Sequence, residues 1–97
     1  MGMQQMLMGY QVKWFGKDKW NRGKQYFTIA LAGEVGEMAN LVKKEMRDGV
    51  DKTEEITEEI ADIVIYSYLL AEGLGKDLDT MIDAKMKKNE AKFGAKK

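Results

Sequence analysis

The chain has 97 residues, with 16 basic and 16 acidic side chains and a formal net charge of zero. That length predicts one domain over residues 1–97, and the charge balance argues against DNA or RNA as a partner. There are no cysteines and no histidines, which excludes disulfides, thiolate or imidazole metal sites, and histidine-based general acid–base chemistry. No apolar run approaches the roughly 20 residues that span a bilayer. The methionine-rich start, Met1 to Tyr10, lacks a basic segment and a cleavage site. The sequence therefore reads as a soluble, cytoplasmic protein with no membrane partner.

Proline is absent and no stretch alternates like a strand, so the pattern predicts an all-α fold. Met3, Met6, Leu7, Tyr10 and Trp14 mark a short first helix, weakened by Gly9. Phe15 to Gly23 reads as a loop. A second helix is expected from about Lys24 to Asp48, with Phe27, Leu31, Val35, Met38, Val42 and Met46 at helical spacing and Asp48-Gly49 as its stop. Asp51 and Glu54 have the spacing of a capping box for a third helix. That helix carries Ile56, Ile60, Ile63, Val64, Tyr66, Leu69 and Leu70 and ends at Gly73 and Gly75. Asp77 suits the N-cap of a fourth, with Leu78, Met81, Ile82, Met86 and Phe93 apolar. The lysine-rich tail from Ala95 should fray. The short connection between the second and third helices predicts an antiparallel hairpin at the centre of a helical bundle.

Two pairs of carboxylates interrupt these apolar stripes. Glu34 and Glu37 lie in Glu34-Val35-Gly36-Glu37, and Glu59 and Asp62 in Glu59-Ile60-Ala61-Asp62. Three-residue spacing puts both members of a pair toward one side of a helix. Glu34 shares the face of Leu31 and Met38, and Glu59 that of Ile56 and Ile63. Glu37 lies four before Leu41 and Asp62 four before Tyr66, so all four carboxylates are expected at core-facing or edge-of-core positions. A cluster of like charges at the edge of a core is costly unless a cation neutralises it. The ligands would all be oxygens, which suits magnesium, manganese or calcium. A single such pair is ordinarily surface decoration; two pairs on adjacent helices are harder to dismiss. Glu45, Glu54, Glu55 and Glu58 read as ordinary solvated charge. The small residues Ala32, Gly33, Gly36 and Ala61 allow close approach, either of helices to each other or of a phosphate.

Lys85 and Asn89 interrupt the fourth helix in the same way. Lys85 suits either a structural ion pair with the acidic cluster or a point contact to phosphate. Trp14, Phe15, Trp20 and Tyr26 suit either stacking on a base or core packing. Gln4, Gln5, Gln11 and Asn21 can read base edges, but no spacing selects among them.

Taken in order, these residues resemble the MazG-like, all-α nucleotide pyrophosphohydrolases. That family is marked by Glu-x-x-Glu, a variable spacer and Glu-x-x-Asp, here Glu34 to Glu37 and Glu59 to Asp62. Lys88-Asn89-Glu90-Ala91-Lys92-Phe93 resembles its later motif, with Lys92 where arginine is common. The resemblance covers roughly Trp20 to Phe93. It implies magnesium-dependent hydrolysis of nucleoside triphosphates to monophosphates and pyrophosphate, with manganese able to substitute. Glu34, Glu37, Glu59 and Asp62 would hold the metal, with Glu37 favoured, beside Glu34, for orienting water. Lys85, Asn89, Lys92 and Trp20 would contact the substrate. It also implies a homodimer or homotetramer. Two other readings stand beside it: a catalytically inactive helical interaction module, and a calcium- or magnesium-sensing protein. The second lacks an EF-hand loop, since Asp48-Gly49-Val50-Asp51 has neither its spacing nor its terminal glutamate.

Overall fold

The structure is a computed structural model and describes residues 2–16 and 23–94. Among these residues there are four helices and no strand: α1 (Met3–Phe15), α2 (Gly23–Asp48), α3 (Thr53–Gly73) and α4 (Leu78–Phe93). The four expected helices are all present, and their bounds agree closely with the apolar spacing, while residues 17–22 of the expected loop lie outside the described residues. Trp20, Asn21 and the tail from Ala95 lie outside the described residues.

The helix ends explain the boundaries. Gly49 takes φ 67° and donates its N–H to the Glu45 carbonyl at 2.9 Å, the left-handed stop that a Cβ would strain. At the end of α3, Gly75 (φ 70°) donates to Glu72 O, and Lys76 donates to Ala71 O. Those two bonds form a Schellman motif and turn the chain toward α4. Asp77 caps α4 as expected: its carboxylate accepts from the Thr80 N–H and hydroxyl, and these bonds hold its pKa below the ordinary value. The Asp51–Glu54 capping box does not form as read. Asp51 instead accepts from the N–H and hydroxyl of Thr53, two residues on, and Lys52 is the N-cap. An aspartate side chain is short and closes a local turn more readily than a full box.

α2 packs chiefly on α3, and both α1 and α4 rest on α3. The faces that meet are legible in the burial pattern. On α2, Phe27, Leu31, Glu34, Met38, Leu41 and Glu45 are buried or half-buried; at the N-cap of α3 and along it, Lys52, Ile56, Glu59, Ile63, Tyr66 and Leu70 are half-buried. Both sets advance by three or four residues, one stripe per helix. Glu45 was read above as solvated, but it is half-buried and accepts from the Lys52 N–H at 2.7 Å, bridging the two ends of the α2–α3 connection.

Little of this protomer is fully buried. Among the described residues the buried apolar set is Phe27, Leu69 and Ala71, while Ile29 is 74% and Met46 82% exposed. The radius of gyration is 16.5 Å, against roughly 12–13 Å for a compact chain of this length. Among the described residues no helix is long and apolar enough to cross a membrane.

Candidate functional site

The α2–α3 contact brings three of the four singled-out carboxylates together. One oxygen each from Glu34, Glu59 and Asp62 lies within 4.8 Å of the others. Glu34 and Glu59 are half-buried and Asp62 is exposed. Glu37 is not in that group. It is exposed and lines a groove with Asn40, Leu41, Lys44 and Glu59, of about 260 Å³. Three residues fall roughly 60° short of a full helical turn, so Glu37 and Asp62 are each rotated away from Glu34 and Glu59. The setting of α2 against α3 closes Asp62 on the cluster and opens Glu37 onto the groove.

Electrostatics single out Glu59. Its Oε2 is closed off from solvent and has no hydrogen-bond donor within reach. Its pKa is pushed up to about 7. The first cause is the Glu34 carboxylate within hydrogen-bond reach: two carboxylates can bond only when one is protonated, so the proton is retained. Burial adds to this, as do the negative charges of Glu34 and Glu37. A screened oxygen without a donor, beside two more carboxylates, can be satisfied by a proton or by a hard cation. The donor set is all oxygen, as magnesium, manganese or calcium requires. The residues present thus fit a divalent ion.

Tyr66 stands beside the same cluster, four residues after Asp62. Burial first, then the neighbouring Tyr26, Glu34 and Asp62, raise its hydroxyl pKa. Sequence reasoning had counted Tyr66 only as apolar. Its spacing from Asp62 was the available signal. Asn40 and Lys44, at the third and seventh positions after Glu37, line the groove and were also missed.

The residues expected on substrate are distributed differently. Lys85 and Lys92 are exposed on α4, and Asn89 is half-buried. Lys85 makes no ion pair among the described residues, whereas Lys87 bridges Asp83 at 3.1 Å. The ion pair between Lys85 and the acidic cluster is therefore absent from the protomer. Lys92 places its ammonium 5.3 Å from the Phe93 ring centre. Trp14 and Phe15 are exposed on α1; Trp14 lies tilted against Tyr10, with ring centres 5.0 Å apart, and meets Phe15 edge-on. Gln4 reads no base: it is buried against the α3–α4 corner. Trp20 lies outside the described residues.

Over 75 residues the chain is 35% identical to the "Gene 37 protein" of Mycobacterium phage L5, covering 72% of this chain and 66% of that protein. It thus spans just under two thirds of that relative's length. No solved structure matches the chain. Residues 29–97, which contain both carboxylate pairs and the whole of α4, match the MazG-like family. With that match over more than half its length, the chain belongs to the MazG-like family.

Proposed function

We propose that this protein hydrolyses nucleoside triphosphates to monophosphates and pyrophosphate with magnesium, or manganese in its place. α2 and α3 act as an antiparallel hairpin: 45 with 52, 37 with 59 and 34 with 62 are the pairs that such a hairpin aligns. The observation that carries the reading is the convergence of Glu34, Glu59 and Asp62, one of which, Glu59, has a buried oxygen without a donor. A divalent ion, when bound there, supplies neutralising charge for phosphate oxygens. Glu37, beside the cluster and open to the groove, orients the attacking water and accepts its proton, with Glu34 next to it. The water oxygen bonds to the α-phosphorus, and the bond from that phosphorus to the α–β bridging oxygen breaks. Lys85, Asn89 and Lys92 contribute donors toward the phosphates or sugar, and Trp20 contacts the substrate.

A screen of ribo- and deoxyribonucleoside triphosphates with magnesium, with products resolved by ³¹P NMR, tests this. Monophosphate plus pyrophosphate is the expected result, lost in Glu37→Ala and Asp62→Ala. Release of orthophosphate instead, or no turnover of any triphosphate with magnesium or manganese, overturns it. The latter leaves the inactive interaction module.

The same protein is proposed to act as a homodimer or homotetramer. Val35, Val42 and Met46 on α2, Ile60 and Val64 on α3, and Met81, Ile82 and Met86 on α4 are all exposed in the protomer. So much apolar surface ordinarily marks an interface. Short helical chains commonly complete their core by association. Sedimentation at micromolar concentration should give at least a dimer, and a monomeric, fully active species would refute the assignment.

A further inference from the structure

Gln4 is the one buried polar residue among the described residues, at 4% exposure. It lies on α1, outside the family-matched segment. Its side-chain amide uses both ends. Nε2 donates to Glu72 Oε1 at 2.9 Å and to the Lys76 carbonyl at 2.8 Å, and Oε1 accepts from the Leu78 N–H at 2.8 Å. These partners are 68 to 74 residues away in sequence. The Leu78 N–H is one of the orphan donors at the start of α4, so a glutamine from α1 satisfies the helix end that Asp77 leaves open.

The location matters because α4 is otherwise lightly held. It has no buried residue. Its side-chain hydrogen bond to α3, from the Tyr68 hydroxyl to Asp79 at 2.7 Å, is also near its start. From Leu78, Lys85 lies about 10 Å and Asn89 about 16 Å along the helix axis. A tilt of about 10° at the corner would move Asn89 by about 3 Å on that lever.

We propose that Gln4 is a positioning residue: its amide fixes the α3–α4 corner and so the direction in which α4 presents Lys85 and Asn89 to the nucleotide. The nucleotide half of this statement rests on the function proposed above; the positional half does not. Gln4 makes no side-chain hydrogen bond to any of the candidate carboxylates.

The absence of native cysteines permits clean spin labelling at exposed Lys43 and Ala91, with Lys43 and Glu58 as a control pair across α2 and α3. Labelled protein is diluted with unlabelled chain so that one protomer is read. Gln4→Met keeps the length of the side chain and removes its bonds. The α2–α4 distance distribution should shift or broaden and the α2–α3 distribution should not. Affinity for a non-hydrolysable nucleoside triphosphate with magnesium should fall by roughly 10- to 100-fold, the scale of small misplacements, while affinity for magnesium alone stays within about twofold by the same argument. The exchange Gln4→Glu with Glu72→Gln restores an amide–carboxylate pair and an acceptor for Leu78 but sets a carboxylate oxygen against the Lys76 carbonyl, so it should recover only part of both losses. This exchange also serves if Gln4→Met fails to fold.

An unchanged α2–α4 distribution in Gln4→Met, with only a lower melting temperature, makes Gln4 a stabilising residue and overturns the proposal. A shifted distribution with undiminished nucleotide affinity overturns it too. If the wild-type chain binds no nucleotide, the proposed function fails, and the distance measurements still decide whether Gln4 sets the place of α4.

Discussion

Replacing Glu59 with glutamine should abolish the response to magnesium and, in metal-free protein at neutral pH, raise the melting temperature. Glutamine keeps the shape of the side chain, removes its charge and offers an N–H to Glu34. In the wild type the folded protein holds the Glu59 proton up to about pH 7, against an ordinary value of 4.5. Between those values the native state binds more protons than the unfolded state, so stability declines as pH rises. The stabilising contribution of the protonated form is complete below 4.5 and is lost as pH passes through about 7. The metal-free wild type should therefore melt at progressively lower temperature from pH 5 to pH 8, and Glu59→Gln should be flatter over the same window. Magnesium competes with the proton for the same oxygens. It should restore the wild-type melting temperature at pH 8, do little at pH 5, and leave the variant unmoved at both. Turnover in the variant should fall by at least roughly 100-fold, since even a residue that only supports a metal ligand typically costs about 10- to 100-fold. Calorimetric scans of both proteins, with and without magnesium, provide the check. Parallel pH profiles, with magnesium stabilising the variant as well as the wild type, would remove Glu59 from the centre of the site.

How much of this was legible in advance follows from which interactions are local. The helices could be read because their apolar residues recur at helical spacing and because Gly49 and Gly75 supply the left-handed stops on which α2 and α3 end. The carboxylate pairs stood out because Glu34 and Glu59 fall in those same apolar stripes, and the half-burial of both agrees. The division within each pair was less accessible. Helix geometry shows that Glu37 and Asp62 are rotated away from their partners, but which of the two closes on the cluster depends on how α2 and α3 are set against each other. Here Asp62 closes on it, and Glu37 opens onto the groove. The sequence offers Gln4 only as one of several amides suited to a base edge, and its place at the α3–α4 corner could not be read from it. Its three partners are brought to it by the packing of α1 on the α3–α4 corner, and nothing within four residues of Gln4 signals them. Glu45 was misjudged for a related reason: its partner is a backbone N–H across the connection, a group that every residue but proline carries and that no side-chain pattern reveals.

Lys85→Met should weaken nucleotide binding while leaving stability almost untouched. Two readings of Lys85 fit its place among Met81, Ile82 and Asn89, and they predict opposite results. A lysine held in a buried ion pair would destabilise the fold by about 3–5 kcal/mol when removed, because the stranded carboxylate has no other partner. The structure places Lys85 in solvent, without an ion pair among the described residues. A surface change of that kind is ordinarily worth no more than about 0.5 kcal/mol in either direction. Loss of a charged contact to phosphate, by contrast, costs about 1.5–3 kcal/mol of binding, which corresponds to roughly 10- to 150-fold in affinity. Because the contact would be solvent-exposed and ionic, the gap between wild type and variant should narrow as salt is raised and the charge is screened. Asn89 offers the internal comparison. It is half-buried, so Asn89→Ala should lower both affinity and melting temperature, and its effect on affinity should depend little on salt. Melting temperature, nucleotide affinity and its salt dependence, measured on the two variants side by side, separate a phosphate contact from a structural one. A large fall in the melting temperature of Lys85→Met, with unchanged kinetics in the folded fraction, would make Lys85 structural and remove it from the site.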